Sequence, residues 1–255
     1  MSKMQYELEN WELDVLGIHN WRSSLSAFKH YFEYIKKNHK KIKGDILEFG
    51  VFNGSSLLAT AILLKKLNSK KKIYAYDSFE GLIKFQKEDR FKNFNIQLKN
   101  KLISKNNFDD HRKLAFYKKL ILKKKITPEN ISGSSSFAAV NLPLLKKKIQ
   151  LLKLDNIKII KGDFEKTLKE KKYPFKKIMA ANIDCDLYES YQVIFEKISL
   201  YLNKDSFVHL DEYYSLKFPG PRILINNFLK KNKNFALKVF KQKYCFPRYY
   251  LIKKK

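Results

Sequence analysis

Little in the chain commits it to a specialised structural class. Its 255 residues include two cysteines, Cys185 and Cys245, far apart and without metal-type spacing. That pattern excludes a disulfide framework and a cysteine-based zinc site, and predicts two free thiols. No apolar run approaches the roughly 18 residues that cross a bilayer. The opening MSKMQYELENWELD carries acids and has no apolar stretch behind a basic start, so neither a secretory signal nor a transit peptide is expected, and a cytoplasmic location is. Arginine is also scarce: Arg22, Arg90, Arg112, Arg222 and Arg248 are the only five among 53 basic residues.

Hydrophobic residues make up 44% of the chain and aromatics 15%, which predicts a folded globular protein. The length suits one large α/β domain over residues 1–255, with a helical segment at 1–43 and a lid or cap insertion at 83–136. The formal charge of +28 would ordinarily point to a polyanion. Here the lysine runs (70–72, 123–125, 146–148) sit among Asn, Ile and Phe. Base readout favours Arg and aromatic stacking motifs, which argues against nucleic acid. Two readings of the charge stay open: a solvated lysine-rich surface, or an acidic substrate or peripheral membrane-surface partner.

Hydrophobic periodicity places a helix over 20–38, with Leu25, Phe28, Phe32 and Ile35 at helical spacing. Strand-like runs follow at 45–50, 71–78, 156–161, 176–183 and 205–210, with helical patterns between them, notably 55–67 and 187–202. Nearly continuous apolar strands alternating with helices predict a parallel sheet covered on both faces, with ligands at the strands' carboxyl ends. The runs 235–242 and 246–253 are separated too briefly for a crossover and should pair antiparallel, making seven strands. The insertion shows helical patches at 91–103 and 111–125 and a serine-rich turn, ISGSSSF.

The first strand ends Glu48-Phe49-Gly50-Val51-Phe52-Asn53-Gly54. A dinucleotide fingerprint would need glycine where Phe52 stands, so a pyrophosphate is excluded. A smaller ligand bearing a carboxylate and an amine fits, and so does a plain tight turn. Asp77, followed by Ser78, offers a bidentate acceptor for a ribose, and Asp163 a short acid for an adenine amino group; each could equally cap a helix. Asp184 and Asp186 end the fourth strand, and Asp211 with Glu212 ends the fifth, so the two pairs should face each other. Carboxylates so placed repel by about 4 kcal/mol per pair at about 4 Å and an effective dielectric near 20. Mg²⁺ or another oxygen-loving divalent ion would neutralise them; lysine pairing is the alternative. His209 precedes Asp211 by two positions and shares its side of the strand; a lone strand histidine is more often a satisfied core residue than a catalytic one. His111, in the insertion, could reach a substrate hydroxyl, but a solvent-exposed position is the commoner reading.

The motifs EFGVFNG, YDSFEGL, GDFEKTL, IDCDLYES and LDEYY followed by FPGPR resemble, in order and spacing, the macrocin O-methyltransferase (TylF-like) family of class I S-adenosylmethionine-dependent methyltransferases. The likeness covers about 44–82 and 137–231. It implies a Rossmann-like seven-stranded sheet with helices on both faces and an antiparallel final strand. It also implies that the cofactor's methionine part lies near Glu48, Gly50, Gly54 and Ser55, its ribose at Asp77 and Ser78, and its adenine at Asp163, with Asp184 also on the cofactor. Asp184, Asp211 and Glu212 would be metal ligands, with Glu212 where family members often have a second Asp. Such enzymes methylate sugar hydroxyls with the help of a metal. Asp186 is then the first candidate for the general base, ahead of His209 and His111; Tyr188 and Tyr213 are expected to face the substrate, and Arg222 either to do so or to fix the acidic loop by an ion pair.

The expectation is an O-methyltransferase acting on a sugar or glycan precursor, as in polysaccharide biosynthesis. Competing readings are an RNA or other small-molecule methyltransferase and a catalytically silent cofactor- or glycan-binding module. The N-terminal helix and the insertion offer surfaces for a homo-oligomer.

Overall fold

The computed structural model describes residues 7–82, 84–132, 141–169, 173–242 and 245–254. Helix α1 (Asn10–Leu16) stops at Gly17, whose left-handed φ of 64° ends the turn. Helix α2 spans Lys29–Asn38, shorter than the helix expected over 20–38. The shortening has a local cause: the Ser23 and Ser26 hydroxyls accept the Leu25 and Phe28 N–H groups, offering the backbone turns in place of a helix. Leu25, expected on the apolar face, is exposed.

All seven expected strands form: β1 (Asp45–Phe49), β2 (Ile73–Asp77), β3 (Ile157–Lys161), β4 (Ile178–Ile183), β5 (Leu202–Leu210), β6 (Phe235–Phe240) and β7 (Arg248–Lys253). They make one sheet in the order β3-β2-β1-β4-β5-β7-β6. The first five are parallel, and β7 runs antiparallel to both β5 and β6. Strand β5 starts earlier than expected and helix α8 (Tyr188–Ile198) ends earlier. Asp205, at φ 64°, sits where the β4–β5 register shifts, so the strand continues through polar Asn203-Lys204-Asp205 as a bulge.

Strand alternation divides the core in two. Ile46, Ile73, Ala75, Ala180 and Phe207 face one layer with Phe32, Ile35 and helix α3 (Ser55–Lys66). Their neighbours Leu47, Tyr74, Tyr76, Ala181 and Val208 face the other, with Tyr191 and Phe195 of α8 and Ile225 of α9 (Gly220–Lys231). Because both faces are covered, the central strands read as unbroken apolar runs.

Between β2 and β3 lie α4 (Lys92–Lys99), α5 (Lys105–Leu122) and α6 (Leu142–Leu151). Helix α5 begins before the expected 111, capped by the Ser104 hydroxyl accepting the Asn107 N–H. Most of ISGSSSF falls outside the described residues. The insertion is fastened to the loop after β5. Gln97 donates to the Pro219 carbonyl at 2.9 Å and accepts from Arg222 at 2.7 Å, and His111 Nδ1 lies 2.7 Å from the Leu216 carbonyl oxygen. Among the described residues, no helix is long and apolar enough to cross a membrane.

Chain order reverses between β1 and β4, and the crevice there depends on one close approach. A Cβ on Gly50, at φ 82°, would overlap the Asp184 carbonyl, whereas on Gly54, at φ 81°, it would meet only the end of the Leu145 side chain. Gly50→Ala is therefore expected to cost about 3 kcal/mol or more in denaturant unfolding and Gly54→Ala about 1–2 kcal/mol. Equal costs would contradict this account of the crevice.

Candidate active site

The carboxyl ends of β1, β2 and β3, with the start of α8, enclose a cavity of about 370 Å³. Gly50, Ser55, Asp77, Ser78, Asp163, Asp184 and Asp186, all drawn from the motifs, border it. Asp77 shapes the floor: one carboxylate oxygen accepts the Val51 and Phe52 N–H groups at 2.6 and 3.0 Å, and the other accepts Phe79 N–H at 2.6 Å. Phe52 is thereby held at φ 48°, a left-handed turn made without glycine. Asp163 caps the short α7 (Phe164–Thr167) by accepting Glu165 N–H at 2.7 Å, so the capping alternative and the cavity position hold together.

Asp184, which borders the cavity, stands with Asp211 and Glu212, which lie behind its lining; each offers one carboxylate oxygen, and these atoms lie within 4.8 Å of one another. Asp186 completes the acidic corner beside them, held at φ 62°. Burial, then the charges of Asp211 and Asp186, pushes the Asp184 carboxyl well above the ordinary range; Glu212 is raised by burial and the same neighbours. Asp186 is pushed up to about 6, chiefly by burial and against the pull of Lys217. Asp211 goes the other way: despite burial, His209 and the Arg248 guanidinium hold it below the usual carboxylate range. Arg248 donates to Asp211 at 2.7 Å. The donor set is all carboxylate, clustered and short of positive charge, and so fits a hard divalent cation.

Several expected site residues do other work. Glu48 is buried behind the cavity, accepting the Ser56 hydroxyl at 2.6 Å, and burial pushes its carboxyl up to about 8. At neutral pH it is largely protonated, which removes the expected free carboxylate. Gly54 caps α3 without bordering the cavity. His209 is fully buried, with Nε2 3.6 Å from Asp211 and Nδ1 3.1 Å from His30, so it stands behind the acids as a neutral ring instead of facing substrate. His111 is stacked on Phe94 at 3.8 Å and fastens the insertion without bordering the cavity. Arg222 is buried, donating to the Tyr213 carbonyl and Gln97. Tyr213 donates to Asn226, and Tyr188 starts α8, its N–H accepted by buried Asp89 at 3.0 Å; neither borders the cavity.

The structure adds residues that sequence reading missed. His19 borders the cavity from the segment after α1, tied by its N–H to the Ser55 carbonyl at 3.2 Å. Lys84 reaches Glu165 at 2.9 Å, Glu189 at 3.4 Å and Asp163 at 3.5 Å, bridging two sides of the cavity mouth. Lys217 stands among the acids, which keep it protonated against burial. Arg248 carried a usable signal, being one of only five arginines; His19, Lys84 and Lys217 carried none, since only the fold brings them near the motifs.

A sheet in this order, with a cavity along the first strands and acids at β4 and β5, is the class I methyltransferase arrangement. The fold is shared with solved structures. The O-methyltransferase NovP has 15% identity and a TM-score of 0.60, with 88% of this chain and 80% of that one covered. The calicheamicin methyltransferase CalS11 has 19% identity and a TM-score of 0.59, with 98% and 82% covered. An O-methyltransferase from Bacillus cereus, solved in complex with SAH, has 11% identity and a TM-score of 0.54, with 100% and 92% covered. Residues 22–114 match the model of the family described as macrocin-O-methyltransferase (TylF), which bears out the resemblance carried by the motifs and supports the expected class, an S-adenosylmethionine-dependent O-methyltransferase. The match runs from before α2 into α5, further into the insertion than the motifs reach, while the motifs beyond 137 lie outside it. No curated protein matches the chain.

The raised acids predict a pH dependence. A carboxyl whose folded pKa exceeds its unfolded value binds its proton more tightly when folded, so stability falls as pH rises between the two values, by up to about 1.4 kcal/mol per pH unit per group. For Glu48 that window runs from the ordinary value of 4.5 to about 8, and for Asp186 from 3.8 to about 6. Thermal melts in chelator should therefore show Tm declining from about pH 5 to about pH 8, with Glu48→Gln flattening the decline above about pH 6. A Glu48→Gln profile parallel to the wild type over that upper range would remove the Glu48 assignment.

Proposed function

We propose that the chain transfers the methyl group of S-adenosylmethionine to a hydroxyl of a sugar or glycan precursor. The observation that carries the reading is continuity: one cavity runs from the Gly50 turn past Asp77 and Asp163 to Asp184 and Asp186, so a cofactor lying along it would end beside the acidic corner. One neighbour supports the acceptor class: CalS11 is described as a TDP-rhamnose 3'-O-methyltransferase, at 18% identity and a TM-score of 0.50.

In this reading Asp77 and Asp163 receive the ribose and adenine, and the methionine part lies along the turn that begins at Gly50. Asp184, Asp211 and Glu212 would hold a divalent cation, which supplies the charge that lowers the pKa of the attacked hydroxyl and orients it. Asp186, raised to about 6, is mostly ionised at neutral pH and could take the hydroxyl proton as the oxygen bonds to the methyl carbon and the cofactor's sulfur leaves with the C–S electron pair as a neutral thioether. Lys217 limits the repulsion that proton-free Asp186 would otherwise suffer, and Arg248 orients Asp211 from outside. With the reactants so placed, catalysis is mainly positioning.

Two measurements test this. Asp186→Asn should lower kcat by about 100-fold or more while leaving S-adenosylmethionine affinity within about twofold by calorimetry. Unchanged kcat would reassign the base. Excess EDTA should abolish methyl transfer to sugar acceptors without abolishing cofactor binding, and Asp211→Asn should weaken the binding of Mn²⁺ followed by its paramagnetic resonance signal. Full turnover in EDTA would exclude the metal role.

A further inference from the structure

Helix α5 is covered for only half its length. Asn107 and His111 are buried, His111 against Phe94 and the Leu216 carbonyl, but beyond them Phe116, Tyr117, Leu120 and Ile121 are 57, 61, 56 and 73% exposed. Spacings of one and four positions put these four on one side of the helix, with the Phe116 and Tyr117 rings edge to face at 5.7 Å. Soluble surfaces tolerate single apolar residues, but a contiguous patch of two aromatic and two branched aliphatic side chains marks an interaction site. Around it stand Lys118, Lys119, Lys123, Lys124 and Lys125. No acidic residue occurs between Lys113 and Lys125.

We propose that the outer end of α5 is a docking surface for an anionic lipid bilayer. The composition fits an interfacial helix: apolar and aromatic side chains to enter the headgroup boundary, and lysines beside them to meet anionic headgroups. The aromatic pair belongs at that depth, where a phenol keeps its hydroxyl in water. A second copy of the chain would be a poor occupant. Pairing two such ends brings two five-lysine clusters together with no carboxylate between them, in a protein already at +28. The first half of α5, anchored by His111, fixes the projecting end relative to the sheet. The proposal stands apart from the choice of acceptor, because it concerns residues remote from the cavity lining.

The test is sedimentation of the full chain with vesicles of phosphatidylglycerol and phosphatidylcholine, against vesicles of phosphatidylcholine alone. Partition is expected only with the anionic vesicles, weakening as salt rises. Phe116→Ser with Ile121→Ser should reduce it about tenfold or more, and each lysine changed to Gln about fivefold. All these side chains except the half-buried Lys118 are exposed, so the melting curve should stay as in the wild type for the other variants. Absence of partition, or partition indifferent to both sets of variants, overturns the proposal. So does a dimer seen by light scattering that Ile121→Asp dissociates while vesicle binding is absent, since the patch is then a contact between copies.

Discussion

The repulsion among four carboxylates, on Asp184, Asp186, Asp211 and Glu212, is the constraint around which the rest of the site is arranged. Nothing about the sheet requires acids at the ends of β4 and β5; apolar residues would pack there at less cost. The structure instead spreads the burden. Arg248 takes Asp211, Lys217 serves the whole corner, and the others hold protons more tightly than free carboxyls do. Each partial remedy comes from a different element, so the corner exists only when β4, β5, β7 and the loop before α9 are all in place.

The same economy appears in the use of arginine. Arg248 reaches Asp211, Arg222 joins Tyr213 to Gln97, Arg90 pairs with Glu129 and Arg22 with Asn10. Lysine supplies the surface charge, while the planar fork is kept mostly for contacts that must hold a fixed direction. A chain with so lopsided a basic composition thereby shows where geometry matters.

Much of the fold was legible in the sequence because its signals were local and agreed with one another. Strands buried on both faces left unbroken apolar runs, and the turn residues after β1, β2 and β4 announced the cavity edge. What misled was competition. Serine side chains converted the front of a periodic helix into turns, and a bulge let β5 run through residues that look like a loop. At the site, acids could be placed by counting strand ends, but which way a side chain faces a cavity depends on packing. Glu48 and His209 lie on the correct strands and point into the core, and His111 serves as a fastener because Phe94 lies under its ring. Lys84 and His19 come from segments distant in sequence, and no motif marks them.

The attachment of the insertion has a mechanical meaning. Gln97 and His111 hold α4 and α5 to the carbonyls of Pro219 and Leu216, in the same short loop that begins with Asp211 and Glu212. The insertion and the acidic corner thus share one anchorage: the loop that carries two of the acids is also the strut on which α4, through Gln97, and α5, through His111, are hung.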